Sequence, residues 1–174
     1  MRIKKAKLSS KILKTINLYR DKEPSEIRKI KVLWACGVNK KHLYRPLQGC
    51  RVFYVELKKL IDSADFGEMM FVALNPRQLF TGIDERDFRV AQILDHWSKG
   101  DCIDPPEICL NHLGQVSFGD GRHRTVAAFH LGEKRIPVIV HLSLIKEITN
   151  LLDLDELKTK PRRSSNKVAK RNQV

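Results

Sequence analysis

The sequence predicts an α/β (α+β) protein: one domain with a small mixed sheet flanked by helices, a basic N-terminal helical extension and a basic C-terminal tail. Three observations carry that reading. Short β-branched runs alternate with helical patterns, glycines and prolines mark the boundaries between them, and the positive charge gathers at the two ends. With 174 residues, 42% of them hydrophobic, the chain fits one domain with attachments. The boundaries fall at 1–45, 46–157 and 158–174.

The elements follow in order. Leu8, Ile12 and Ile16 recur four apart among Lys4, Lys5, Lys7, Lys11 and Lys14, the pattern of an amphipathic helix with a basic face. A helix packing that stripe on its own domain and one lying on a membrane surface both fit. "DKEPSEIRKIKVLWACG" predicts a short helix starting at Pro24, with Ile27, Ile30 and Leu33/Trp34 as its stripe and Gly37 as its stop. "RVFYVEL" (Arg51 to Leu57) and "EMMFVAL" (Glu68 to Leu74) read as strands, the second closed by Asn75-Pro76.

"DERDFRVAQILDHWSKG" places Phe88, Ala91, Leu94 and Trp97 at helical spacing, with acids in the first turn and Gly100 at the end. Beyond Pro105-Pro106, Ile108 to Leu110 and Gln115 to Phe118 read as two short strands around a His112-Leu113-Gly114 turn. "RHRTVAAFHLG" predicts a helix of about ten residues. "RIPVIVHL" predicts a buried strand, and "SLIKEITNLLDLDELK" a helix starting at Ser143. The composition of the last 17 residues predicts a disordered tail.

Several function classes drop out. The apolar runs "MMFVAL" and "IPVIV" are far shorter than the roughly 20 residues of a spanning helix, and the start lacks the apolar stretch of a secretory signal. A cytoplasmic protein without an integral membrane segment is the expectation. Cys36, Cys50, Cys102 and Cys109 form no CxxC pair and read as buried, reduced thiols. His42, His96, His112, His130 and His141 share no metal spacing, and Trp34 and Trp97 read as core residues.

Charge points to a class of partner. The net charge is +13, but its distribution says more. Residues 1–31 hold 11 basic side chains against 3 acidic, residues 158–174 hold 7 against none, and the middle holds 15 against 17. A near-neutral body with two basic arms suits a polyanion, because each Lys or Arg that reaches a phosphate releases counterions. The DNA contacts expected on this basis are Lys4, Lys5, Lys7, Lys11 and Lys14 in the first arm. In the second they are Arg162, Arg163, Lys167, Lys170 and Arg171.

The chemistry concentrates in "SFGDGRHRTVAAF", Ser117 to Phe129. It joins a strand to a helix, where backbone N–H groups lack intrahelical partners and the helix dipole is positive. Glycines let a phosphate approach those groups, and Arg122 and Arg124 add charge-assisted bonds. Asp120 caps the helix or holds a divalent metal against the phosphates. A tight turn with an Asp cap and solvent-facing arginines fits the same spacing. The segment lacks the P-loop Lys-Ser/Thr, the third glycine of the dinucleotide fingerprint and the serine of a hydrolase elbow.

"GRHRTVAAFHLGEKRIPVIV" (Gly121 to Val140) resembles the arginine-rich box of ParB partition proteins and a segment of sulfiredoxins. "ALNPRQLF" (Ala73 to Phe80) resembles the ParB Asn-Pro segment, and Gly100, Ile103 and Pro105-Pro106 resemble the approach to the next strand of that fold. The match runs over roughly residues 68–142. The resemblance implies a ParB/sulfiredoxin-type nucleotide site, for ATP or CTP with Mg²⁺. Gly119, Asp120, Gly121, Arg122, His123 and Arg124 would lie at the phosphates, with Asn75 and Arg77 adding contacts. Arg122 stands where a sulfiredoxin has its reactive cysteine, which removes sulfinic-acid reduction. About 32 residues follow Leu142, too few for the DNA-reading and dimerisation parts of a partition protein.

Stand-alone members that this chain resembles include plasmid-borne nucleases and small proteins that suppress conjugative or T-DNA transfer. The partners so implied are DNA, a nucleotide, and a nucleoprotein or secretion component of DNA transfer. Two readings follow. As an ATPase or DNase, the chain would use Asp120 or an acid of "DERD" on the metal, Arg122 and Arg124 on developing charge, and His123 to activate water. As a regulatory module it would bind nucleotide or DNA without turnover and block a partner.

Overall fold

The computed structural model describes residues 9–35, 49–67 and 75–156. These form an α+β domain around a five-stranded mixed sheet of order β3-β2-β4-β1-β5. The strands are β1 (Cys50–Glu56), β2 (Glu107–Leu110), β3 (Val116–Asp120), β4 (Arg135–His141) and β5 (Asp155–Glu156). Neighbours run antiparallel except β2 and β4, which are parallel. The helices are α1 (Ser10–Arg20), α2 (Pro24–Ile27), α3 (Leu57–Ser63), α4 (Asp84–Ser98), α5 (Arg122–His130) and α6 (Ile145–Leu152).

β4 is the central strand, and all five of its inner residues are buried, as an uninterrupted "IPVIV" run requires. Val138 and Val140 join Phe53, Val55, Ile108 and Val116 in a core closed by α3, α5 and α6. α5 can lie close to the sheet because its buried residues, Thr125, Val126, Ala127 and Ala128, are small.

α1 builds a second cluster. Ser9 caps it, accepting from the Ile12 N–H at 3.4 Å. Ile16 and Tyr19 pack with Ile27 against Val90, Ala91 and Leu94 of α4. Of the expected stripe, Ile12 and Ile16 are covered by their own domain, with Lys11 and Lys14 exposed on the outside, and Leu8 lies outside the described residues. Among the described residues no helix is long and apolar enough to cross a membrane.

Four elements differ from the sequence expectation. α2 ends at Ile27, because the chain beyond it extends: Ala35 donates to the Ile103 carbonyl and Ile103 to the Leu33 carbonyl, at 2.9 and 3.0 Å. Trp34 then meets Trp97 edge to face, centroids 5.3 Å apart. The strand at Arg51 gives way to α3 at Leu57, which the β-branched pattern hid. Helix α6 begins after a 3₁₀ turn at Leu142–Leu144, where the His141 ring, not Ser143, receives the capping bond. It stops at Asp153, whose φ is 52°, and this frees Asp155–Glu156 to pair with β1.

Cys50, Cys102 and Cys109 are free thiols, half-buried rather than fully so. Burial pushes the Cys50 and Cys109 thiols up from their ordinary pKa. Cys36, His42 and the expected strand Glu68 to Leu74 lie outside the described residues.

Candidate functional site

The Gly-Asp-Gly turn does join a strand to a helix: β3 ends at Asp120 and α5 starts at Arg122. The helix cap is Gly121, not Asp120. Gly121 adopts φ 89° and makes no side-chain cap bond, at the end of α5 where the helix dipole is positive.

Both glycines answer to protein packing. A Cβ at Gly121 would stand 2.7 Å from Cα and Cβ of Pro106, and one at Gly119 would stand 3.2 Å from Cδ of Glu107. Asp120, 75% exposed at its side chain, accepts from the Gly121 N–H at 2.7 Å and from the Arg124 guanidinium one turn later.

The two arginines of the motif are therefore partly committed. Arg124, 12% exposed, bonds Asp120 and also donates to the Asp104 carbonyl at 2.7 Å. It braces the turn against the segment leading to β2. Arg122 donates to the Gly67 carbonyl. The loop it grips is ordered further by Asp65, which accepts from Gly67 N–H at 2.7 Å and from Asn111 at 3.1 Å. The Gly67 and Asn111 hydrogen bonds, and then the nearby Arg122 charge, hold the Asp65 carboxyl below the usual range.

What faces this turn is α4. Two adjoining clefts, of about 280 and 450 Å³, lie between α4 and the start of α5, and they share Arg89, Asp120 and His123. Arg86 and Arg122 line the larger cleft, while Gln92, His96 and Arg124 line the smaller. Arg89 is exposed and makes no hydrogen bond or ion pair among the described residues. It is the available guanidinium of the site. Composition alone did not single it out, yet the signal was present: Arg86, Arg89, Gln92 and His96 share one face of α4, opposite the stripe that packs on α1.

No family model, curated protein or solved structure matches this chain.

Two expected contributions lie elsewhere, and a third falls outside the described residues. Asn75 and Arg77 belong to a local turn in which the Asn75 side chain accepts from the Arg77 N–H at 3.0 Å. The intervening Pro76 carbonyl accepts from His130 at 3.2 Å. His130 ends α5, about 12 Å of helix from Arg122, so this turn sits at the opposite end of α5 from the phosphate cradle.

Asp87 of "DERD" is buried and serves structure. It accepts from Thr81 N–H and hydroxyl at 2.7 and 3.1 Å, from Gly82 N–H at 3.0 Å and from Arg20 at 2.5 Å. Finally, Lys4, Lys5, Lys7, Arg162, Arg163, Lys167, Lys170 and Arg171 lie outside the described residues.

Of the acids in "DERD", the side chains of Asp84 and Glu85 lie outside the described residues. Among the described residues no three His, Cys, Asp or Glu side chains come together in a metal-binding group. Asp120 brings one carboxylate, already engaged by Arg124 and Gly121.

Proposed function

We propose that the cleft between α4 and the first turn of α5 binds the phosphates of a nucleotide or of DNA. The observation that carries this reading is Arg89, an exposed guanidinium without a protein partner among the described residues, lining both clefts beside His123. Arg86, Arg122 and Arg124 also line the clefts, and Asp120 is the one acid lining them among the described residues. Such a cluster of arginines beside a helix N-terminus favours a multiply charged anion.

The ParB/sulfiredoxin resemblance supports the same place, since it assigns the Gly119–Arg124 segment to nucleotide phosphates. ATP and CTP are the nucleotides it implies, and the basic arms add attraction for DNA. Within that resemblance, the protein acts by blocking a DNA-transfer nucleoprotein or its secretion component.

Hydrolysis of ATP or of a DNA phosphodiester is a second reading. It is favoured by His123, whose imidazole lines both clefts and belongs to the residue type suited to activating water near neutral pH. Arg89 and Arg122 would then neutralise charge on the phosphorus.

The test is a thermal-midpoint titration with ATP and CTP, with and without Mg²⁺, on the wild type and Arg89→Gln. A ligand at a hundred times its Kd stabilises the fold by about 2.7 kcal/mol. The midpoint is expected to rise in the wild type and to rise far less in the variant. No shift with either nucleotide, together with no shift with DNA, would refute the reading.

A further inference from the structure

We infer that the ligand is a single polynucleotide strand laid along α4, not a lone nucleotide; this rests on the phosphate-binding reading above. The two clefts are one trough, because Arg89, Asp120 and His123 belong to both. Arg86, Arg89 and His96 line it from end to end on a single face of α4. From Arg86 to His96 the helix rises about 15 Å. A stacked strand advances about 3.4 Å per nucleotide, so the trough covers roughly four phosphates, and fewer of a more extended strand. A mononucleotide seated at the start of α5 leaves the His96 end unfilled.

The lining is mixed, apolar and cationic. Ile93 and Ile103 give the smaller cleft an apolar wall, and Ile83 does so for the larger, between the cationic side chains. Among the described residues the rings that line the clefts are the imidazoles of His96 and His123, with no Phe, Tyr or Trp. α4 and α5 pack directly on one another beneath the trough. The chemistry shared by DNA and RNA strands is what the trough fits.

The experiment is fluorescence anisotropy on the full chain with oligothymidylates and oligouridylates of increasing length, a duplex and ATP, each over a range of salt. Affinity is expected to climb at least tenfold from one to about four nucleotides and then to rise only slowly. Each phosphate engaged adds about 0.7 to the slope of log K against log salt. Arg89→Gln should remove about one phosphate's worth of slope and most of the length gain, and His96→Gln, whose ring bonds Asp101 at 3.0 Å, should cut the length gain without changing the slope; both positions are exposed, and both variants are checked for folding by circular dichroism.

Because the basic arms also attract strands, the variants decide the matter. A length gain that persists undiminished in both variants belongs to the arms and overturns the inference. So does a preference for duplex, or equal affinity at every length. Binding of either sugar type supports it and identifies the strand. Failure of every probe, ATP included, instead overturns the phosphate-binding reading beneath it.

Discussion

Gly121 presses its bare α-carbon against Pro106 so closely that a Cβ there would stand 2.7 Å from both Cα and Cβ of the proline. With φ at 89°, any other residue would pay twice, in left-handed backbone strain and in overlap with backbone that cannot yield. Gly121→Ala is expected to destabilise the fold by about 3 kcal/mol in urea unfolding. Gly119→Ala should cost less than about 1 kcal/mol, since its Cβ would meet only the end of the Glu107 side chain, at 3.2 Å. Equal effects at the two positions would contradict this division of labour.

Asp87 joins α1 to the start of α4 through Arg20, Thr81 and Gly82. Its carboxylate is fully buried, and removing it strands several donors at once. Asp87→Ala is expected to cost about 3 kcal/mol, measured by urea unfolding. A nucleotide-hydrolysis role for Asp87 would instead show as lost turnover with stability unchanged.

His130 ties the end of α5 to the Pro76 carbonyl, and burial holds its pKa below the ordinary value despite that hydrogen bond. The unfolded chain therefore takes up the proton first, at about pH 6.5. Stability from this group is complete above that pH and declines as the pH falls through it toward the folded pKa. The thermal midpoint of the wild type should fall between pH 7 and pH 5, and by less in His130→Gln. An equal fall in both would assign the acid sensitivity to other groups.

The fold was legible wherever one local rule dominated. "RIPVIVHL" is the buried central strand, Pro24 does open α2, and the paired prolines do precede β2. The expectation failed where tertiary contacts outranked pattern. Ile30 to Trp34 carry a helical stripe, yet backbone bonds to Ile103 and the Trp34–Trp97 contact draw that segment out straight. In the site, the consecutive run Gly119 to Arg124 was visible because its residue types are unusual side by side. Arg89 was not, because a charged residue on the outer face of an amphipathic helix looks the same whether it faces water or a ligand. Asn75 and Arg77 were misplaced since sequence order does not say which end of α5 a loop will meet.

The C-terminal charges offer a separate prediction. Replacing Arg162, Arg163, Lys167, Lys170 and Arg171 by Gln should lower DNA affinity at low salt and flatten its salt dependence, each lost phosphate contact removing about 0.7 to 0.9 from the slope. An unchanged slope in filter binding would mean that the tail does not touch DNA.

The most direct measurement is a backbone amide NMR titration of the full-length protein with ATP or a short oligonucleotide. The largest shifts are expected at the amides of Gly121 to Arg124 and along α4 from Arg86 to His96, and they should collapse in Arg89→Gln. Shifts centred on the cleft around Lys59 and Arg135, or an Arg89→Gln protein that responds like the wild type, would contradict the placement of the ligand between α4 and α5.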